Sequence, residues 1–155
     1  PMPIDDNSIE LVTSSMVLSQ FDVEPYTYFS ILLEKHFGRE YLGKHEAKLT
    51  PIMENLRTKL FTLQVESHVK EMYRFVKKDG KSRVYVSAEL FRSYLDENQF
   101  FLVQDMPKAL EIIGKYFFYE FGDLLEGRVL RKSKLDEGTS INQSYILVPK
   151  NEACQ

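Results

Sequence analysis

The sequence predicts a mainly helical α+β fold in which N-terminal helices pack on a C-terminal half carrying a small antiparallel sheet. Three observations predict it. Apolar residues recur at helical spacing through the first half, from Phe29 to Val76. In the second half residues 83–87 alternate and are β-branched and aromatic, and strand-like runs follow at 128–134 and 143–148. A chain of 155 residues, 43% hydrophobic and 28% charged, suits one domain whose core needs no disulfide or metal staple.

The elements follow in order. Residues 1–20 carry no clear period and are expected to form an arm. Asp22-Val23-Glu24-Pro25 is a helix start: an acceptor side chain, an acidic first turn, and a proline whose missing N–H costs nothing there. Phe29, Leu32, Leu33 and Phe37 follow on one face, and Gly38 supplies the stop. Thr50-Pro51 marks a second start, with Ile52, Met53, Leu56, Leu60 and Leu63 down one stripe. Val65, Val69, Met72, Tyr73 and Val76 continue on a rotated stripe, which favours a break or bend near Thr62.

After Asp79-Gly80, residues 83–87 read as a short strand. Ser87 then reads as the cap of a helix burying Leu90, Phe91, Tyr94 and Leu95. Beyond a linker over 98–104, Asp105 caps a third helix, with Ala109, Leu110, Ile113, Phe117 and Phe121 inward. Two strands close the pattern, 128–134 and 143–148, around the turn chemistry of Asp136-Glu137-Gly138-Thr139. The expected organisation is an arm over 1–20, a helical part over 21–64, a second part over 65–149 and a tail over 150–155.

Composition narrows the function classes. The chain has 20 Lys and Arg against 23 Asp and Glu, a net of −3, so no global basic field draws it to nucleic acid or to an anionic membrane. The charge-free run 11–21 is far shorter than the roughly 20 apolar residues of a bilayer crossing, and it contains hydroxyl and amide side chains. Asp5, Asp6 and Glu10 stand where a secretory leader would be positive. The single cysteine, Cys154, forms no intramolecular disulfide, which points to a reducing cytosolic or nuclear compartment. The opening Pro1-Met2-Pro3 reads as a tag remnant or as the cut end of a longer protein.

Enzyme chemistry finds little support in the pattern. His36, His45 and His68 lack cysteine partners and i, i+4 spacing, so no zinc site is expected, and each reads as a surface or half-buried helix histidine. Gly80-Lys81-Ser82 matches the end of a phosphate-binding loop, but Phe75 occupies the position that motif reserves for glycine. Cys154 has no base nearby in sequence. A non-enzyme that needs no cofactor or metal is the expectation.

From Val65 to Pro149 the predicted order is helix, strand, helix, linker, helix, hairpin. That order resembles the winged-helix variant of the helix-turn-helix, and more faintly the C-terminal winged helices of phage and plasmid replication proteins. The resemblance rests on layout and spans a little over half the chain. It implies a DNA-binding or DNA-transaction module of a replication, transcription or mobile-element protein, with the helix over 106–121 and the wing strand over 128–134 on DNA.

The residues have matching chemistry. Arg128, Arg131, Lys132 and Lys134 fall within seven residues and could neutralise phosphates. Lys108 and Lys115 lie two turns apart along the third helix, and Gln104 and Asn98 precede it, in reach of base edges. Against this, Asp136 and Glu137 sit at the predicted wing tip, and a basic strand also guards a sheet edge against aggregation. The alternative is a protein-interaction or oligomerisation domain. Tyr116, Phe117, Phe118, Tyr119 and Phe121 cannot share one helical face, so Tyr116, Phe118 or Tyr119, with Phe100 and Phe101 of the linker, would form an aromatic docking surface.

Overall fold

The structure is a computed structural model that describes residues 3–15, 17, 18, 21, 23–94, 99–102, 106–130 and 137–151. Its order is β1 (Leu11–Ser15), α1 (Val23–Phe37), α2 (Arg39–Lys44), α3 (Glu46–Phe75), β2 (Arg83–Tyr94), β3 (Gln99–Leu102), α4 (Met106–Tyr116), β4 (Phe117–Leu130) and β5 (Glu137–Pro149). The α+β class is as predicted, with helix the larger share. The sheet differs from the prediction. It has five strands and is mixed, because β1 runs parallel to β2 while the other pairs are antiparallel.

Helix α1 begins where the Asp22–Pro25 signature places it, and Lys35 and His36 in its last turn complement the negative end of the helix dipole. It stops at Gly38, whose φ of 77° is left-handed and whose N–H donates to the Glu34 carbonyl at 2.9 Å. The six-residue α2 was not visible in the pattern.

Helix α3 starts at Glu46, so Pro51 lies inside its second turn rather than at its first position. It also runs unbroken for 30 residues, about 45 Å, where the rotated stripe had favoured a break near Thr62. The rotation marks a change of partner instead. No residue of α3 before Phe61 is buried; that half lies beside α1 and α2, with Tyr26, Leu33, Leu42, Leu49 and Met53 lining a cleft between them. From Phe61 onward, Val65, Val69, Met72 and Phe75 are buried against the sheet.

A turn joins α3 to β2. The Asp79 Oδ1 atom accepts hydrogen bonds from the N–H groups of Lys81 and Ser82, at 2.9 and 2.8 Å, around the left-handed Gly80. These two bonds hold the Asp79 carboxyl below its ordinary range. The Gly80-Lys81-Ser82 tripeptide is thus a helix-to-strand turn.

Two predicted helical segments are strand. The helix read from Ser87 is the continuation of β2, which pairs with β5 from Val84 to Tyr94 and, at its far end, with β3. The third helix ends at Tyr116, and Phe117–Leu130 is β4. In both places a run of apolar and aromatic residues fits either period, and pairing with a long neighbouring strand decides for the sheet. The order expected of a winged helix is therefore replaced from β2 onward by strand, strand, helix, strand, strand.

The strand order is β1-β2-β5-β4, with β3 on the same edge of β2 as β1 but farther along. Residues 11–15, read as part of an unpatterned arm, thus form an edge strand, tied down further by a bridge between Ile9 and Val76. Val84, Val86 and Ala88 of β2 and Leu147 of β5 face α3 and α4, and all are at most 1% exposed. With Leu18, Phe61, Val65, Val69, Ala109, Ile112, Ile113 and Phe117 they make the core. Among the described residues no helix is long and apolar enough to cross a membrane.

Candidate interaction surface on the open face of the sheet

Alternation along the strands sends every second residue to the face opposite the helices. Register then assembles those residues into rows. Leu11 stands beside Arg83, and Val148 beside Phe118. The next row runs Thr13, Tyr85, Ile146 and Phe121, and a third Ser15, Ser87 and Ser144. Leu11, Phe118 and Phe121 are 60%, 59% and 57% exposed, and Tyr85, Ile146 and Val148 are half-buried. Phe118 and Phe121 on β4 stand beside Val148 and Ile146 on neighbouring β5 and form a contiguous apolar patch, while Leu11 lies at the opposite edge of the sheet, beyond Arg83.

A β-bulge shapes this face. Register slips between Tyr119 and Phe121, leaving Glu120 as the extra residue. The Glu120 carboxylate accepts two hydrogen bonds from the Arg83 guanidinium, Nε at 2.6 Å and Nη2 at 2.8 Å. Arg83 holds the Glu120 carboxyl below its ordinary range. The pair thus presents no net charge to a partner. Hydroxyls lie beneath the surface: Tyr85 Oη is 3.0 Å from Ser144 Oγ and Ser15 Oγ is 3.1 Å from Ser87 Oγ, with Ser87 and Ser144 both buried. At one rim the Lys150 ammonium sits 4.9 Å from the Phe118 ring centre while donating to the Gly114 carbonyl at the end of α4.

The aromatic run divides between the two faces. Phe117 is buried in the core, and Tyr116 is half-buried with its ring 5.3 Å from that of Tyr73. Tyr119 lies on the helix side, where its hydroxyl donates to the Leu110 carbonyl at 2.8 Å. Burial, with a smaller contribution from Tyr145, pushes its phenol up to about 12. Phe121, read from the sequence as a core residue of a helix, is instead on the open face. Of the aromatics proposed for docking, Phe118 is exposed on this face; Phe100 and Phe101 lie in β3 opposite Ser93 and Arg92. Sequence reasoning missed Phe121, Leu11 and Tyr85. A period of two from Phe121 through Tyr119 to Phe117 would wrongly unite them, because the bulge switches Phe121 to the other face.

The residues proposed for DNA contact are not gathered into one described cluster. Lys108 pairs with Glu111 on its own helix at 2.8 Å, and Lys115 sits in the last turn of α4. Arg128 stands in β4 opposite Thr139. Gln104, Asn98, Arg131, Lys132 and Lys134 lie outside the described residues, as does Cys154.

One polar pair elsewhere is built into the body. His68 of α3 lies with Nε2 2.7 Å from Ser14 Oγ of β1, and its ring meets that of Phe21 edge-on at 5.1 Å. Ser14 is only 2% exposed, so this contact fastens β1 to α3 rather than opening to solvent. Burial lowers the His68 pKa from its ordinary value. No group of three or more His, Cys, Asp or Glu able to hold a metal ion occurs among the described residues.

Comparison of the chain with protein-family models, with curated proteins and with solved structures found no match.

Proposed function

We propose that this protein is a protein-interaction module whose docking surface is the open face of the sheet, centred on Phe118, Phe121 and Ile146. The observation that supports it is the exposed Phe118 and Phe121 of β4 beside Val148 and Ile146 of neighbouring β5, with the Arg83–Glu120 ion pair at this patch neutralised on the spot. Four strands span about 14 Å at the usual spacing of about 4.8 Å, wide enough to seat a helix about 10 Å across. The partner this chemistry fits is the apolar face of an amphipathic helix, because an uncharged, aromatic surface offers an anionic polymer little.

The test uses a photo-crosslinking phenylalanine analogue at position 121, with the partner identified from the adduct by mass spectrometry. A discrete protein adduct is expected that disappears when Phe118 is changed to Asp, while the unfolding midpoint of that variant stays within a few degrees of the parent. Equal crosslinking from an analogue placed at Lys81, or an adduct indifferent to Phe118→Asp, would sink the proposal.

A second reading keeps the hairpin as a DNA-contacting ribbon. It is favoured by the length of the β4–β5 pair, which extends from Phe117 and Pro149 out to Leu130 and Glu137, with Arg128 near its far end. Under that reading, fluorescence anisotropy with duplex DNA shows binding that weakens steeply as salt rises and that falls when Arg131 and Lys132 are both changed to Ala. No binding at low salt removes this reading.

A further inference from the structure

We propose that a second copy of this chain adds to the sheet at the β4 edge, antiparallel, about a two-fold axis passing through Gly127. Strand β4 is the last in the order β1-β2-β5-β4, so among the described residues one side of its 14-residue backbone pairs with β5 and the other pairs with no strand. A free edge of that length is a template for another strand, and proteins that stay monomeric blunt such edges. The bulge at Glu120 blunts the first part of β4; from Phe121 to Leu130 the pairing with β5 is regular.

The order of charges along that regular part selects the occupant. An antiparallel pair of identical edge strands related by a two-fold axis normal to the sheet matches each residue with its mirror image about one central residue. Centring on Asp123, Glu126 or Arg128 sets that charge against itself. Centring on Leu124 would oppose Glu120 and Arg128, but Glu120 is the bulge residue and is already bound to Arg83. Centring on Gly127 opposes Glu126 to Arg128 twice by symmetry, Leu124 to Leu130 and Leu125 to Val129, with no like charges opposed. Centring on Leu125 opposes no like charges but makes no ion pair, so Gly127 is the remaining centre that sets opposite charges together, and the strand is complementary to itself about it. The result is one continuous sheet of ten strands with the helices of both copies on the same side. This edge is a separate surface from the open face, so the inference stands apart from the docking reading.

Light scattering behind a sizing column tests it on the full chain. A dimer is expected, and Glu126→Arg or Arg128→Glu alone should weaken it on the order of tenfold, while the two changes together restore it. Circular dichroism of each variant reports whether it folds. A crosslink provides a second, independent measurement. In a Cys154→Ser background, Gly127→Cys should form a disulfide-linked dimer under mild oxidation, since opposed Cα atoms of an antiparallel pair lie about 4.5–5.5 Å apart and a disulfide spans about 4.4–6.8 Å. Thr27→Cys, on the exposed side of α1, should not. A monomer at all concentrations overturns the proposal. So does a dimer that ignores the single charge reversals, or one that the double change fails to restore.

Discussion

Changing Phe117 to Ala is expected to cost about 3–5 kcal/mol of stability, whereas the same change at Phe118 should cost less than about 1 kcal/mol. The two residues are chemically identical and adjacent, and the difference lies wholly in which face of β4 each occupies. Phe117 is 1% exposed, its ring 5.7 Å from that of Tyr73, among core side chains from both helices and the sheet. Truncating it leaves a cavity that the sheet on one side and α3 and α4 on the other are too rigidly paired to close. Phe118 is 59% exposed and loses little more than its contact with Lys150. Urea unfolding followed by circular dichroism measures both. Comparable losses at the two positions would place them on one helical surface, and the strand register would then be wrong.

Acid is expected to loosen the attachment of β1 before it affects the rest of the chain. His68 sits where burial disfavours its charged form, so its folded pKa lies below its ordinary value of 6.5. As pH falls below 6.5 the unfolded chain binds a proton that the folded chain does not, and stability drops by up to about 1.4 kcal/mol per pH unit. The loss levels off once pH has passed below the folded pKa, and above about pH 7.5 this group contributes no pH dependence. The carboxyls of Glu111 and Glu120 are held below their ordinary 4.5 by Lys108 and Arg83, so their contributions are lost in a separate, more acid window. Chemical denaturation at intervals from pH 5 to 8 should show the slope in the parent and its absence in His68→Gln, which keeps a hydrogen-bonding group near Ser14. A parent profile flat across that range would mean that His68 carries no buried proton deficit.

Much of the helical half was legible because its signals are local. The start of α1 follows a run of four residues in the sequence, and the Gly38 stop depends on a left-handed φ that one glycine supplies. The continuity of α3 was not, since a stripe that rotates looks the same whether a helix bends or exchanges one partner for another. Strand β1 escaped because its alternation is short and its partner lies 72 residues away, at Arg83 for Leu11. Ser87 to Tyr94 and Phe117 to Phe121 misled for the opposite reason: their spacing suits a helix, and only pairing with β5 overrules it. The open face inherits these errors. Its rows come from four strands, and one displaced residue at Glu120 moves Phe121 from core to surface.

The order of the strands has a consequence for synthesis. β5, the last of the five to be made, lies between β2 and β4 and is the seam along which they join. On the ribosome, β1 and β2 can meet while β4 waits without a neighbour, its backbone groups open to any passing chain. A message truncated upstream of Glu137 would therefore release two unjoined pieces of sheet, and chaperone demand should concentrate in the interval between translation of β4 and of β5.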